Sequence, residues 1–269
     1  MLVIGENINA SNKLVAEAIA KRDEEFLVNL AKAQALAGAD FIDVNAGSGH
    51  GSLQEAAAAI RWLVGIIQAA IEQPLSIDSD SPEVIKAALQ EYHGERLIIN
   101  SVTAEPARLK SIGPLVAKRQ AWVIALAMGT DGIPAHVEER LAACERIMVY
   151  LTGLGVKAEQ VLFDPLVLPI AVDTRQGLVT LKTIEQIKSH YPDTRIVMGL
   201  SNISYGLPKR KLVNHAFLLM ATYAGLDAVI VDPLDNKAMS LIKVANMLVG
   251  KDPSCRAYLR AHRKGNIVD

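Results

Sequence analysis

The sequence predicts an α/β protein that folds as a single-domain (β/α)8 TIM barrel. Short β-branched apolar runs occur eight times, and a longer helical pattern follows each run, which is typical of βαβ units with a parallel sheet. The 269 residues give about 34 residues to each unit, in line with the roughly 250 residues of such a barrel. The predicted strands are Leu2–Asn7, Phe41–Asn45, Leu75–Asp78, Leu97–Asn100, Trp122–Met128, Val161–Asp164, Ile196–Asn202 and Ala228–Asp232.

The segments between these strands have the spacing of amphipathic helices. The helix after the third strand has the clearest start, because Ser81 is a good N-cap, Pro82 suits the first helical position and Glu83 places an acid in the first turn. Gly38 and Gly225 are typical of helix ends that lead into the next strand. The other predicted helices cover 14–20 with 26–37, 53–71, 107–120, 136–154, 174–190, 210–225 and 236–250.

The pattern predicts where the barrel ends. No linker-like composition interrupts residues 1–250, so they are predicted to form the barrel. Residues 251–269 are basic and weakly patterned, and we expect a C-terminal tail that packs on the barrel surface and contains at most one short helix.

Composition narrows the class of protein. A net charge of −1 gives no reason to expect nucleic acid or an anionic membrane as the main partner. Cys144 and Cys255 lie far apart and outside any Cys-x-x-Cys pair, which excludes a zinc ribbon and favours a reducing compartment. The first residues lack a signal-peptide pattern, and polar residues interrupt the longest apolar stretch, near 216–231. We therefore predict a cytoplasmic protein that does not span a membrane.

Seven of the eight predicted strands end in Asp or Asn. Each of these residues could be an ordinary turn former, but the barrel gathers all strand ends at one mouth, where active sites are built. No Lys or Arg ends a strand, so Schiff-base chemistry lacks its amine, and no His/Asp set suggests a metal site. The Gly-rich segment 47–51 is predicted to be a flexible loop rather than a phosphate cradle. The sequence thus predicts a metal-free pocket of carboxylates and carboxamides.

Such a pocket suits a flat heterocycle that alternates N–H donors with carbonyl acceptors. A carboxylate can accept two N–H bonds from an amino-amidine edge, and a carboxamide can both donate and accept. The pyrimidine edge of a pterin has this pattern.

The motifs at these strand ends resemble those of the pterin-binding methyltransferases. The resemblance extends from Val3 to about Val249, and its specific segments are Val3-Ile-Gly-Glu-Asn-Ile-Asn9, Asp43-Val-Asn-Ala-Gly47, Ile77-Asp-Ser79, Ile99-Asn-Ser101, Asp164-Pro-Leu-Val-Leu-Pro169 and Gly199-Leu-Ser-Asn-Ile-Ser204. Members of this family move a methyl group between 5-methyltetrahydrofolate and the cobalt of a corrinoid protein. The resemblance implies a barrel, usually a homodimer, with tetrahydrofolate lying across the mouth.

The resemblance also implies roles for single residues. Asp78, Asn100 and Asp164 would hold the pterin edge. Asn202 would face N5 as the catalytic residue, with Gly199 and Ser201 on the same wall. The remaining matching positions of the inner mouth, without a defined role, are Glu6, Asn7 and Asp43.

The cobalt must come from elsewhere. No Asp-x-His-x-x-Gly corrinoid signature occurs in the chain, so we expect cobalamin to arrive on a transiently bound partner protein at an open mouth. The physiological direction of transfer is left open.

Two alternatives remain. A dihydropteroate synthase-like enzyme would need basic residues just after the seventh strand to bind pyrophosphate, whereas Lys209 and Arg210 come late in that segment. The first strand also lacks the Asn-x-Thr-Pro-Asp-Ser-Phe loop expected of the synthase. A non-catalytic folate-binding barrel is the second alternative, and the pocket residues alone do not exclude it.

Overall fold

Eight parallel strands form one closed barrel in the computed structural model, which describes residues 1–47 and 52–268. The strands pair in chain order, and β1 closes the barrel by pairing with β8. This confirms the predicted single-domain (β/α)8 fold. Most of the Gly-rich segment predicted at 47–51, and the last residue of the predicted tail, lie outside the described residues.

The strands are β1 Leu2–Asn9, β2 Phe41–Asn45, β3 Leu75–Asp78, β4 Leu97–Val102, β5 Trp122–Leu126, β6 Val161–Asp164, β7 Arg195–Gly199 and β8 Ala228–Val231. The helices are α1 Lys13–Lys21, α2 Glu24–Leu36, α3 Leu53–Ala70, α4 Pro82–Glu91, α5 Pro106–Arg119, α6 Val137–Gly153, α7 Gln176–His190, α8 Arg210–Ala224, α9 Asn236–Leu248 and α10 Arg256–Arg263. Ser81 caps α4 as predicted, since its side chain accepts a hydrogen bond from the Val84 N–H. Among residues 1–47 and 52–268, no helix is long and apolar enough to cross a membrane.

An apolar layer closes the interior of the barrel below the mouth. It is a cluster of buried side chains, with one residue from seven of the eight strands: Ile4, Phe41, Ile98, Ile124, Leu162, Val197 and Ala228. Side chains of a strand alternate between its two faces, so the residue two positions further on also points into the barrel. The alternation of side chains along each strand therefore decides which residues line the mouth.

The predicted end of the seventh strand is wrong. β7 stops at Gly199, which is its last residue paired with β8, and Leu200–Ser204 forms a 3₁₀ turn. Leu200 and Ile203 are both buried, and their three-residue spacing fits one face of a helical turn and not the alternation of a strand. Ser201 and Asn202 consequently lie on a turn beyond the strand. β1, by contrast, continues past Asn7 to Asn9, and β5 stops at Leu126, two residues before its predicted end.

Two acids at the opposite end of the barrel bind the backbone of neighbouring strands. A carboxylate oxygen of Asp40 accepts the Val3 N–H at 2.8 Å, and Asp227 accepts the Ile196 N–H at 3.1 Å. Lys251 bonds to Asp227 at 3.1 Å, which ties the start of the C-terminal segment to the foot of β8. From there the chain forms α10 and returns along α9, where the Val268 N–H donates to the Ser240 hydroxyl at 2.9 Å.

Candidate active site at the barrel mouth

A polar layer lies directly above the apolar layer of the barrel interior. Four of its members follow an interior apolar residue by two positions on the same strand, namely Glu6, Asp43, Asn100 and Asp164. The same positions on β5, β7 and β8 are Leu126, Gly199 and Ile230, which add no polar side chain. Asp78 joins this layer as the last residue of β3, where it is the register partner of Asn100. Strand alternation thus brings most of the sequence-predicted site residues to one mouth, although Asn202 stands above it.

Asp43 and Asp78 are each held by a carboxamide. The Asn100 side chain donates to Asp43 Oδ1 at 3.3 Å, and the Asn45 side chain donates to Asp78 Oδ2 at 2.8 Å. Burial raises the pKa of both carboxyls, and the nearby Asp78 raises that of Asp43 further, to about 8. Two acids this close resist simultaneous ionisation. A ligand that donates N–H bonds would favour their charged form.

Asp164 lies across the mouth from this pair. Its Oδ1 accepts the Leu166 N–H at 2.8 Å, and burial raises the pKa of the carboxyl to about 6 against the opposing effects of that bond and of Arg140. Leu166 has a φ of +64°, a backbone conformation that is unfavourable for a leucine unless its surroundings impose it.

Arg140 holds Leu166 in its positive-φ conformation. Its side chain is fully buried, and its guanidinium donates to the carbonyls of Pro134, Pro165 and Leu166 at 2.9, 2.9 and 2.8 Å. The planar fork of an arginine can bind several fixed acceptors at once. It joins the loops after β5 and β6, and so fixes the position from which Asp164 faces the mouth.

Arg108 binds backbone carbonyls at the ends of β3 and β4 in the same way. From α5 it donates to the Ser101 carbonyl at 2.7 Å and to the Ser79 carbonyl at 2.8 Å, and it also bonds to the Asp80 carbonyl. The loop after β3 is therefore held against the end of β4, next to Asp78 and Asn100.

The wall above β7 is the 3₁₀ turn Leu200–Ser204. Arg210 fastens this turn, donating to the Ser201 carbonyl at 2.7 Å and to the Ser204 hydroxyl at 3.1 Å. Asn202 is exposed, and within the described residues no hydrogen bond engages its carboxamide. At Gly199 a Cβ would meet no atom within 4 Å, so the space below the turn is open.

The last side of the mouth is formed by β1 and β8. The Asn7 side chain donates to Asp232 Oδ1 at 2.7 Å, and its backbone N–H bonds to Gln34 Oε1. Glu6 is half-buried beside Asp232, and burial, then the charge of Asp232, raises the pKa of Glu6 to about 7. Glu6 and Asp232 border a cavity of about 260 Å³, and a larger one of about 750 Å³ opens beside Asp78 and Asn45.

The predicted site omitted four residues that belong to this geometry. Asn45 and Asp232 end predicted strands, so the strand-end pattern that identified the others could also have found them. Arg140 and Arg108 lie within helices, and no sequence pattern indicated that they bind loop carbonyls on neighbouring units. Within the described part of the chain, no three His, Cys, Asp or Glu side chains are grouped so that they could hold a metal ion.

Comparison with known proteins identifies the family. The family model for pterin binding enzymes matches residues 5–232, a span from within β1 to the residue after β8. The chain belongs to the pterin-binding enzymes. It is 35% identical over 269 residues to a methylcorrinoid:tetrahydrofolate methyltransferase of Eubacterium limosum, covering 99% of this chain and 98% of that relative.

Other proteins that this chain resembles are longer or less similar in sequence. A methionine synthase of Mycobacterium tuberculosis is 32% identical over 244 residues, which are 86% of this chain and 20% of the synthase. Dihydropteroate synthases share the fold. The Stenotrophomonas maltophilia structure has a TM-score of 0.68 at 18% identity, covering 92% of each chain. That of Yersinia pestis has a TM-score of 0.68 at 16% identity, covering 94% of each chain.

Proposed function

We propose that this pterin-binding barrel transfers a methyl group between N5 of tetrahydrofolate and the cobalt of a corrinoid carried by a separate protein. The observation that carries the proposal is the full-length similarity to a methylcorrinoid:tetrahydrofolate methyltransferase, joined to a mouth lined by carboxyls and carboxamides. The name of that relative gives transfer from the corrinoid to folate, and we propose this as the physiological direction.

The pterin edge would bind at Asp78, Asn100 and Asp164. The carboxyls of Asp78 and Asp164 have raised pKa values because they are buried, and the single donors that each accepts, the Asn45 amide and the Leu166 N–H, do not offset that burial. An amino-amidine edge supplies two N–H groups to one carboxylate, and charge-assisted bonds of this kind are roughly twice as strong as neutral ones. The Asn100 amide can pair with the carbonyl or ring nitrogen of the same edge.

Asn202 would act at N5. As a methyl group leaves or arrives, the charge on N5 changes, and a donor that bonds more strongly in the transition state than in the ground state lowers the barrier. A carboxamide can do this without titrating. The unengaged side chain of Asn202, on the turn above Gly199 and beside Ser201, is available for such a bond.

The corrinoid would be a substrate held by a partner protein at the open mouth. Such a partner must approach and leave in each turnover, which suits a transient interface above the strand ends. Tetrahydrofolate and the corrinoid are the only cofactor-like molecules that the proposal requires, and it needs no resident metal.

A synthase-type reaction fits the site less well. It needs cations after β7 to bind pyrophosphate, but Arg210 is bonded to the Ser201 carbonyl and the Ser204 hydroxyl. Lys209 precedes α8, eight residues beyond Ser201. Arg210 therefore stabilises the turn, Lys209 comes late in the segment, and methyl transfer remains the better assignment.

The experiment is anaerobic incubation of the protein with tetrahydrofolate and free methylcobalamin, followed by the visible spectrum of the corrinoid. We expect tetrahydrofolate to bind and the methylcobalamin spectrum to convert to that of cob(I)alamin, and we expect the protein as purified to contain no corrinoid or metal. Tight folate binding without a spectral change would support a carrier, and release of pyrophosphate from a pterin pyrophosphate would support a synthase.

We also propose that the protein is a homodimer that joins through α8. Three large apolar side chains on the outer face of this helix are exposed, namely Leu212, Met220 and Tyr223, at 71%, 50% and 84%. An apolar stripe of this kind on an outer helix is typical of an interface, and a contact there would leave both mouths free.

Sedimentation tests this arrangement. The wild-type protein should sediment as a dimer at micromolar concentration, and Leu212→Glu with Tyr223→Glu should shift it to a monomer because buried charges oppose the contact. Leu36→Glu, at an exposed apolar residue on α2, is the matched control and should stay dimeric. A monomeric wild-type protein would contradict the proposal.

A further inference from the structure

Methyl transfer to folate also moves a proton. The inference below concerns the residue that accepts this proton, and it rests on the proposed function. When N5 attacks the methyl group of a methylcorrinoid, a C–N bond forms and the electron pair of the Co–C bond stays on cobalt, which passes from Co(III) to Co(I). The N5–H bond then breaks, and its proton needs an acceptor. In the reverse direction, N5 must receive one proton.

Most acids of the mouth are engaged elsewhere. Asp43 is only 2% exposed and accepts the Asn100 amide, while Asp164 holds the Leu166 N–H. Asp164 would itself bind the pterin edge, and Asp43 is bonded to Asn100, which would bind the same edge. The Asn202 carboxamide does not titrate near neutral pH.

Glu6 occupies a different position. It rises from β1 above Ile4, and burial raises the pKa of its carboxyl, while the nearby Asp232 backbone and Ser201 side chain oppose part of that rise. Ser201 directly precedes Asn202 on the 3₁₀ turn. The cavity of about 260 Å³ is lined by Glu6, Ser201 and Asp232, so water has a route to the carboxyl.

We propose that Glu6 accepts the N5 proton through the Ser201 hydroxyl when the methyl group arrives, and returns it by the same path when the methyl group leaves. A hydroxyl can accept one hydrogen bond while it donates another. Ser201 can therefore donate to Glu6 and accept from N5 together, and the proton then leaves Glu6 for water in the cavity.

The charges around Glu6 suit this role. Burial raises its pKa most, Asp232 adds to the rise and Arg210 opposes it, which gives a value of about 7. An acid-base group works best when its pKa lies near the working pH. The charged or titratable groups that face it or line the same cavity are Asp43, Arg210, Lys211, His215, Asp232 and Asp235.

The test is the pH profile of single-turnover transfer at saturating folate. From methylcobalamin to tetrahydrofolate, Glu6 must be ionised, so the rate should rise with pH through about 7. From methyltetrahydrofolate to cob(I)alamin, Glu6 must be protonated, so the rate should fall over the same range. We call this pH-dependent change in rate the limb of the profile. Glu6→Gln should remove the limb in both directions and slow transfer about 100-fold or more.

A second variant should shift the pH at which the rate changes while it keeps Glu6 itself. Asp232→Asn keeps an oxygen acceptor for the Asn7 amide but removes the negative charge that raises the Glu6 pKa. The limb should therefore shift to lower pH. This measurement decides the proposal even if Glu6→Gln fails to fold, because a merely structural Glu6 would give a profile that ignores Asp232.

The control is Glu145→Gln, an exposed acid on α6, which should behave as the wild type does. A Glu6→Gln protein with the wild-type rate and pH limb, or an Asp232→Asn protein with an unshifted limb, would overturn the proposal. A wild-type protein that transfers no methyl group in either direction would instead overturn the proposed function.

Discussion

Replacing Asn202 by alanine should slow methyl transfer about 10²- to 10³-fold, a loss of roughly 2.7–4 kcal/mol of transition-state stabilisation. The reason is that a preorganised donor to N5 contributes most as the charge on that nitrogen changes. Folate affinity should fall by less, because only part of the bond exists before reaction. Single-turnover transfer between folate and cobalamin, with folate affinity measured separately, gives both numbers.

Asn29→Ala is the matched control, since Asn29 is an exposed carboxamide on α2 and lines neither cavity at the mouth. It should leave both the rate and the affinity unchanged. The Asn202 side chain engages no described partner, so its removal should also leave the melting temperature unchanged. An unaltered single-turnover rate in Asn202→Ala would show that N5 is activated by another group.

Removing Asp78 or Asp164 should weaken folate binding about ten- to a hundredfold, corresponding to about 1.5–3 kcal/mol for a lost charge-assisted bond. Asp164→Asn is the sharper variant, because asparagine keeps an oxygen for the Leu166 N–H but cannot accept two N–H bonds as a carboxylate does. Titration calorimetry with tetrahydrofolate measures the effect.

Stability separates a binding role from a structural one. Because burial raises the pKa of Asp164 to about 6, ionising it costs folding free energy as the pH rises through that value. Asp164→Asn should therefore melt no earlier than the wild type at pH 8. Asp193→Ala, at an exposed acid near the opposite end of the barrel, is the control for affinity. Normal folate affinity together with a much lower melting temperature would mean that Asp164 only forms a turn.

The barrel and the strand-end part of its site followed from local patterns in the sequence. A strand that alternates in and out, with an apolar residue in the floor and a polar one two positions later, places the polar residue at the mouth in any closed barrel. Asp43, Asn100 and Asp164 are residues of this kind, and the prediction of their positions needs only the period of a strand. Asp78 stands two positions after Ser76 and was predicted from its place at the end of β3.

The turn after β7 and the buried arginines depend on contacts between distant segments. The run from Ile196 to Asn202 is apolar enough to resemble a strand, but pairing with β8 ends at Gly199, and packing of Leu200 and Ile203 bends the chain. Arg140 binds carbonyls up to 26 residues away in sequence. No local pattern encodes such a partner, and the pKa of Glu6 likewise depends on Asp232, 226 residues further along the chain.

The most direct test of methyl transfer follows the methyl group itself. A corrinoid protein loaded with ¹³C-methylcobalamin is mixed with this protein and tetrahydrofolate under anaerobic conditions, and the product is examined by NMR. We expect the label to appear on N5 of tetrahydrofolate at a rate that depends on the wild-type protein and falls about 10²- to 10³-fold with Asn202→Ala. Label that stays on cobalt while tetrahydrofolate is bound at the mouth would contradict it.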